Sequence, residues 1–263
     1  MIGGIVTATS LARKAIKTAA WVPGLATGRR TGDVVVLLYH RIGVDDGEIA
    51  LPAASFGRQL QHLAAGRRTA TLDDAIRSSV GGVVVTFDDG YRDFVDDAVP
   101  LLVRWRIPAI LYLATGLVDG DRSVGRLSWA ALREAVSSRV VTVGSHTHSH
   151  ADLSRATESE AEEEMRRSKD LIEDQLEVPC DHFAYPWAVG SPGARRAAER
   201  LFASAALSAW RPNRHGHIDP YDLGRTPVLR SDGQAFFRAK VKGRLNAEAF
   251  AYRALGRGPW RKR

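Results

Sequence analysis

The chain has 263 residues, 44% of them hydrophobic, and a formal net charge of +7 at pH 7; that length and apolar content suit one α/β domain with tails. Its single cysteine, Cys180, excludes an intramolecular disulfide and a cysteine-based zinc site and agrees with a reducing compartment. No stretch approaches the ~20 apolar residues that span a membrane.

Residues 1–32 read as a basic N-terminal extension. Its apolar start precedes Arg13, Lys14 and Lys17, the reverse of a secretory signal, so no cleavable signal is expected. Ile2, Ile5, Val6, Leu11, Ile16 and Trp21 among these cations suit either a surface-seeking helix or a frayed extension. The expectation is a cytoplasmic protein with peripheral membrane contact through its basic termini. Residues 34–38 form a β-run ending in Tyr39-His40. Helical spacing follows at Phe56, Leu60 and Leu63, and again over 72–76 with Thr71 or Asp73 as cap. Gly81-Gly82 precedes the β-branched run 83–85, which leads into Asp88, Asp89 and Gly90. Residues 96–105 suggest a helix, 109–114 a strand opened by Pro108, and 129–137 a helix capped by Ser128. A strand over 140–143 runs into Gly144-Ser145-His146. Residues 156–177 make a long, charged helix with one solvated face. Then come a strand over 182–185 ending at Pro186, a helix over 194–202 and a strand over 203–209. Beyond Trp210 the chain reads as loop-rich, and 236–263 as a basic tail. Alternating strands and helices argue for a parallel sheet with crossover helices, doubly wound or closed into a barrel, in one domain over 33–235.

Adjacent carboxylates at the end of a buried strand repel, so Asp88-Asp89 costs stability unless a cation or shared proton offsets it. A lone Asp there would read as a helix cap. The C-terminal ends of parallel strands are where α/β active sites sit. Further strand ends carry His40, then His146, His148 and His150, then Trp187. Asp89 with two of the histidines would make a three-ligand site with open positions for water, as catalytic zinc requires. His146 and His150 share a face if their segment turns helical, His146 and His148 if it stays extended; spacing leaves the pair open. Positive charge favours anionic partners, but no aromatic or groove-reading motif accompanies it, so no nucleic-acid partner is expected.

Thr86-Phe87-Asp88-Asp89-Gly90, His146-Thr147-x-x-His150 and Phe183-Ala184-Tyr185-Pro186 resemble, in that order, the signature motifs of the polysaccharide deacetylases, the chitooligosaccharide-deacetylase-like carbohydrate esterases. The resemblance covers about residues 34–230, and the third motif is similar to that of the bacterial exopolysaccharide, poly-N-acetylglucosamine subgroup. It implies an α/β fold, a distorted (β/α) barrel of about seven parallel strands. It also implies that Asp88 is the catalytic base and that Asp89, His146 and His150 ligate a divalent metal, foremost Zn2+. His148 is left outside the ligand set. The backbone N–H of Trp187, just after Pro186, would join the oxyanion hole. The family's late Leu-x-His motif, which supplies the catalytic acid, has no clear match, since His215 and His217 lack the leucine spacing. In the exopolysaccharide subgroup the acid comes from the early strand, where Leu38-Tyr39-His40 fits, so His40 is the expected general acid. Arg225, in Leu-Gly-Arg-Thr-Pro, is the candidate to orient Asp88; the alternative is a surface arginine. Trp187-Ala188 stands where the family usually has Tyr-Gly, which bears on the shape of the groove. The implied activity is metal-dependent removal of N-acetyl groups from a saccharide. An O-acetyl esterase and a catalytically silent carbohydrate-binding protein are the alternatives.

Overall fold

The computed structural model describes residues 33–43, 47–66, 68–77, 81–120 and 125–244. The expected basic extension over 1–32 and residues 245–263 of the expected tail lie outside them. Strand β1 (Val34–Tyr39) is followed by a small ribbon of β2 (Arg41–Ile42) and β3 (Ala50–Leu51). The remaining strands are β4 (Gly82–Asp89), β5 (Ala109–Leu113), β6 (Val141–Ser145), β7 (His182–Ala184), β8 (Ser204–Leu207) and β9 (Leu223–Pro227). Among the described residues, β1 and β4 to β9 close into a seven-stranded barrel of parallel pairs, with β9 returning to β1. This is the distorted (β/α) barrel that the motifs imply.

The strands are buried on both faces, which is why they read as continuous apolar runs rather than alternating ones. Val34, Val36, Val84, Ile110 and Tyr112 belong to one buried cluster, while Val35, Leu37, Val83, Val85 and Leu111 belong to another that includes the helices. Those helices are α1 (Ala53–Gly66), α2 (Leu72–Arg77), α3 (Val99–Trp105), α4 (Trp129–Ser137), α5 (Glu158–Leu176), α6 (Pro192–Leu201) and α7 (Gln234–Val241). The long charged helix α5 buries a narrow stripe of Ala161, Met165, Ser168, Ile172 and Leu176, the i, i+4, i+7 pattern of a surface helix. Thr157 and Glu160 close a capping box at its start. Ser128 caps α4. Thr71 rather than Asp73 caps α2, its Oγ1 accepting from Asp74 N at 3.1 Å.

The sequence expectation differs from the structure in two places. The helix expected over 96–105 enters through a π-turn at Phe94–Ala98, and the α-helix begins only at Val99. Pro100, which has no N–H to continue an earlier ladder, sits in its first turn. The second difference is larger: the stretch read as loop-rich contains β9. Leu-Gly-Arg-Thr-Pro has a single β-branched residue, so local propensity hides it. Pairing of Val36 with Arg225 and of Leu38 with Pro227 makes it a strand. Helix α7 follows β9 and buries Phe237 and Lys240. Lys240 Nζ donates to Pro227 O at 2.8 Å and Asp232 Oδ2 at 2.7 Å.

The barrel is least regular between β6 and β7, which share one register pair, Ser145 with Phe183. Here a Cβ on Gly144 would stand 2.7 Å from His182 O and 2.9 Å from the Tyr112 ring, so only glycine permits this approach. The seam leads directly to His146 on one side and Tyr185-Pro186-Trp187 on the other. No helix among the described residues is long and apolar enough to cross a membrane.

Candidate active site

A cavity of about 260 Å³ lies at the C-terminal ends of the strands, lined among others by His40, Asp88, Asp89, His146, His150, Trp187 and Arg225. The residues to which the resemblance assigns a chemical role, His40, Asp88, Asp89, His146, His150, Trp187 and Arg225, therefore line one cavity. Arg225 is not a surface arginine: it is 1% exposed and grips Asp88 with two hydrogen bonds, NH1 to Oδ1 at 2.6 Å and NH2 to Oδ2 at 2.8 Å. Burial works against the charge on Asp88, but the Arg225 guanidinium together with His146 and His40 outweighs it and holds the carboxyl below its ordinary range.

Asp89 turns the other way. It has φ 76, and Gly90 follows at φ 83, so the chain bends sharply and separates the two carboxylates. A Cβ on Gly90 would stand 2.6 Å from Leu113 Cδ1, which leaves glycine as the residue that fits. Asp89 Oδ1 lies 3.6 Å from His146 Nε2 and 3.1 Å from His150 Nε2. One donor atom from each of these three residues falls within 4.8 Å of the others. Bonds of about 2.1 Å in a tetrahedral site put ligand atoms about 3.4 Å apart, so this spacing fits a divalent ion.

Two further observations bear on that fit. His146 Nδ1 lies 2.7 Å from Ala184 O. A carbonyl only accepts, so Nδ1 carries the proton and Nε2 presents its lone pair to Asp89. Asp89 Oδ1, in turn, is buried with no hydrogen-bond partner. Two imidazoles and a carboxylate converging in one cavity are a donor set suited to zinc-like ions. The pairing that spacing left open is His146 with His150. The segment is not helical; Thr147 and His150 adopt left-handed φ of 64° and 59°, which folds the loop back on itself. His148 bonds Thr115 Oγ1 at 3.0 Å through Nδ1 and is not part of the cluster.

His40 follows β1 directly. Burial pushes its pKa down against the opposing pull of Asp89 and Asp88. Trp187 and Ala188 both take left-handed φ, 59° and 58°, which costs roughly 1–2 kcal/mol each outside glycine. Of the ten described non-glycine residues with left-handed φ, Asp89, His150, Trp187 and Ala188 line this cavity and Thr147 lies in the loop between His146 and His150. The His215 loop is elsewhere: His215 N donates to Asp33 Oδ1 at 3.1 Å, at the start of β1. The sequence reading did not single out Ile49, Tyr91 and Ser208, which also line the cavity. Tyr91, two residues beyond Asp89, carried the clearest signal of the three.

His146 makes the protein acid-sensitive when free of metal. Burial pushes its pKa down to about 4, against ~6.5 for an unfolded histidine. Between these values the unfolded chain binds a proton that the folded chain refuses, so stability falls as pH drops from 6.5 to 4 and is flat above that window. The loss approaches ~3 kcal/mol from this group, and protonation of Asp88 extends it to lower pH. Urea melts of chelator-treated protein across pH 4.5–7.5 check this slope.

The profile of the family described as polysaccharide deacetylase matches residues 77–205. A Bacillus subtilis protein named as a polysaccharide deacetylase, YxkH, is 24% identical over 204 residues, covering 73% of this chain and 69% of its own. The poly-beta-1,6-N-acetyl-D-glucosamine N-deacetylase of Escherichia coli K12 is 37% identical over 77 residues, 25% of this chain but only 12% of that enzyme. Among solved structures, IcaB from Ammonifex degensii superposes with a TM-score of 0.68 at 24% identity, covering 83% of this chain and 97% of that one. A polysaccharide deacetylase from Bacillus cereus gives 0.72 at 24% identity, over 82% and 70%. These two likenesses show the barrel fold. With the matched profile and the motifs gathered in one cavity, residues 77–205 carry a domain of the polysaccharide deacetylase family.

Proposed function

We propose that this protein is a metal-dependent hydrolase that removes N-acetyl groups from a saccharide, with zinc held by Asp89, His146 and His150. One observation carries the reading: Asp88, gripped by Arg225, stands 3.7 Å from His146 Nε2, beside the three-residue cluster and in the same cavity as His40. That pairs a proton acceptor with a candidate metal site and a proton donor, the set that amide hydrolysis needs.

When bound, the ion supplies Lewis acidity toward the acetyl carbonyl and toward water. Asp88 accepts the proton lost by the attacking water, and Arg225 keeps it ionised for that task. The Trp187 backbone N–H donates to the developing oxyanion, a contribution often worth ~3 kcal/mol per donor. His40 delivers a proton to the nitrogen as the C–N bond breaks, giving acetate and a free amine. Burial lowers the pKa of His40, while the neighbouring Asp89 and Asp88 carboxylates favour the protonated form that a general acid needs.

The partner is an N-acetylated saccharide. The Escherichia coli relative's name makes β-1,6-linked N-acetylglucosamine the first polymer to test, with exopolysaccharide as the substrate class. Acetate release should be measured from N-acetylglucosamine oligomers and from O-acetylated sugars in parallel. Release from the oligomers at least tenfold faster is the expected result. Release from the esters alone would make the protein an O-acetyl esterase, and none from either, with zinc bound, a silent carbohydrate-binding protein.

A further inference from the structure

We propose that the Trp187 side chain is a positioning residue for His150, and so sets how tightly this site holds its metal. The proposal rests on the metal-centre reading above and concerns the indole, not the backbone N–H.

The two histidines are secured differently. His146 is locked by the bond from Nδ1 to Ala184 O at 2.7 Å, the outer contact that fixes a metal-binding imidazole. His150 has no such partner: its side chain is 19% exposed, and among the described residues no group hydrogen-bonds its Nδ1. Apart from the contact of Nε2 with Asp89 Oδ1 at 3.1 Å, packing has to orient the ring. The Trp187 ring meets it edge to face, centroids 4.9 Å apart at 76°, and the His146 ring flanks it at 5.0 Å and 66°. Trp187 also holds the backbone of the same residue, with indole Nε1 donating to His150 O at 3.4 Å.

His150 needs this brace because its own backbone is left-handed, φ 59°. Its neighbours in the loop are tied down separately. Ser149 N donates to Glu164 Oε2 at 2.8 Å, and Ala151 N to Thr147 Oγ1 at 3.1 Å. Those contacts fix the ends of the loop; the indole fixes the ligand between them. Trp187 reaches this position only through consecutive left-handed residues at 187 and 188. The ring contact therefore accompanies real backbone strain. A tyrosine, usual at this position in the family, has no N–H where the indole has one.

Zinc affinity, measured by competition with a chromophoric chelator, tests the idea on purified wild type, Trp187→Phe and Trp187→Ala. Visible spectra of the cobalt(II)-loaded forms report ligand geometry in parallel. Trp187→Phe keeps an aromatic ring, guards against misfolding, and should weaken zinc binding about 2–10-fold, the loss of one hydrogen bond. Trp187→Ala should weaken it about 10–100-fold, the usual effect of losing an outer contact, with a changed cobalt band. Wild-type zinc affinity and an unchanged cobalt spectrum in both variants would overturn the proposal. That outcome with a raised KM would make the indole a sugar platform. Failure of wild type itself to take up zinc would instead remove the metal-centre reading.

Discussion

Asp88→Asn lowers the rate of acetate release by roughly 10²–10⁴-fold, the range for loss of a general base, while zinc content stays at the wild-type level. The amide is isosteric with the carboxylate, so the cavity keeps its shape, but it has little affinity for a proton at neutral pH. Asp89, His146 and His150 are the candidate ligand cluster, which is why metal binding should survive. The change is not neutral for folding. Arg225 loses the second of its two acceptors, and the amide NH2 faces a guanidinium N–H. Acetate assays with metal analysis on the same preparation separate the two effects. A variant with full activity would remove Asp88 from the chemistry.

Arg225→Met destabilises the fold by about 3–5 kcal/mol, because it leaves the Asp88 carboxylate buried without its partner. The fully buried guanidinium also stacks over Tyr112 at 5.1 Å, so packing is lost as well. Without the cation, burial, already the largest influence on Asp88, is opposed only by His146 and His40, and the pKa rises relative to wild type. Denaturant melts at pH 7 read the stability loss. The double variant Asp88→Asn/Arg225→Met is the sharper check. With the buried charge neutralised, removing Arg225 should cost at least ~2 kcal/mol less than it does alone, since the two side chains act as one unit. Additive losses would mean that the pair is not coupled.

The core of this fold was legible because its strands are buried on both faces, and runs such as 83–85 show that without any knowledge of the barrel. Strand β9 was not, because Leu223–Pro227 is specified by the gap it closes between β8 and β1 rather than by its own residues. The site divides in the same way. Asp88-Asp89 and the three clustered histidines advertised a cation. Spacing could not choose between His148 and His150, because the choice depends on left-handed turns at Thr147 and His150, which no 3.6- or 2-residue period describes. The partner that fixes His146, the carbonyl of Ala184, is a backbone group with no sequence signature. Arg225 was visible as a residue, but its grip on Asp88 depended on the strand that local propensity hid.

The central claim is a metal site built from Asp89, His146 and His150 beside Asp88, and the most direct measurement is zinc per chain by mass spectrometry in wild type and His146→Ala/His150→Ala. About one zinc per wild-type chain, and close to none in the double variant under the same loading and dialysis, is the expected result. Equal zinc in the two proteins, whether high or absent, would contradict it.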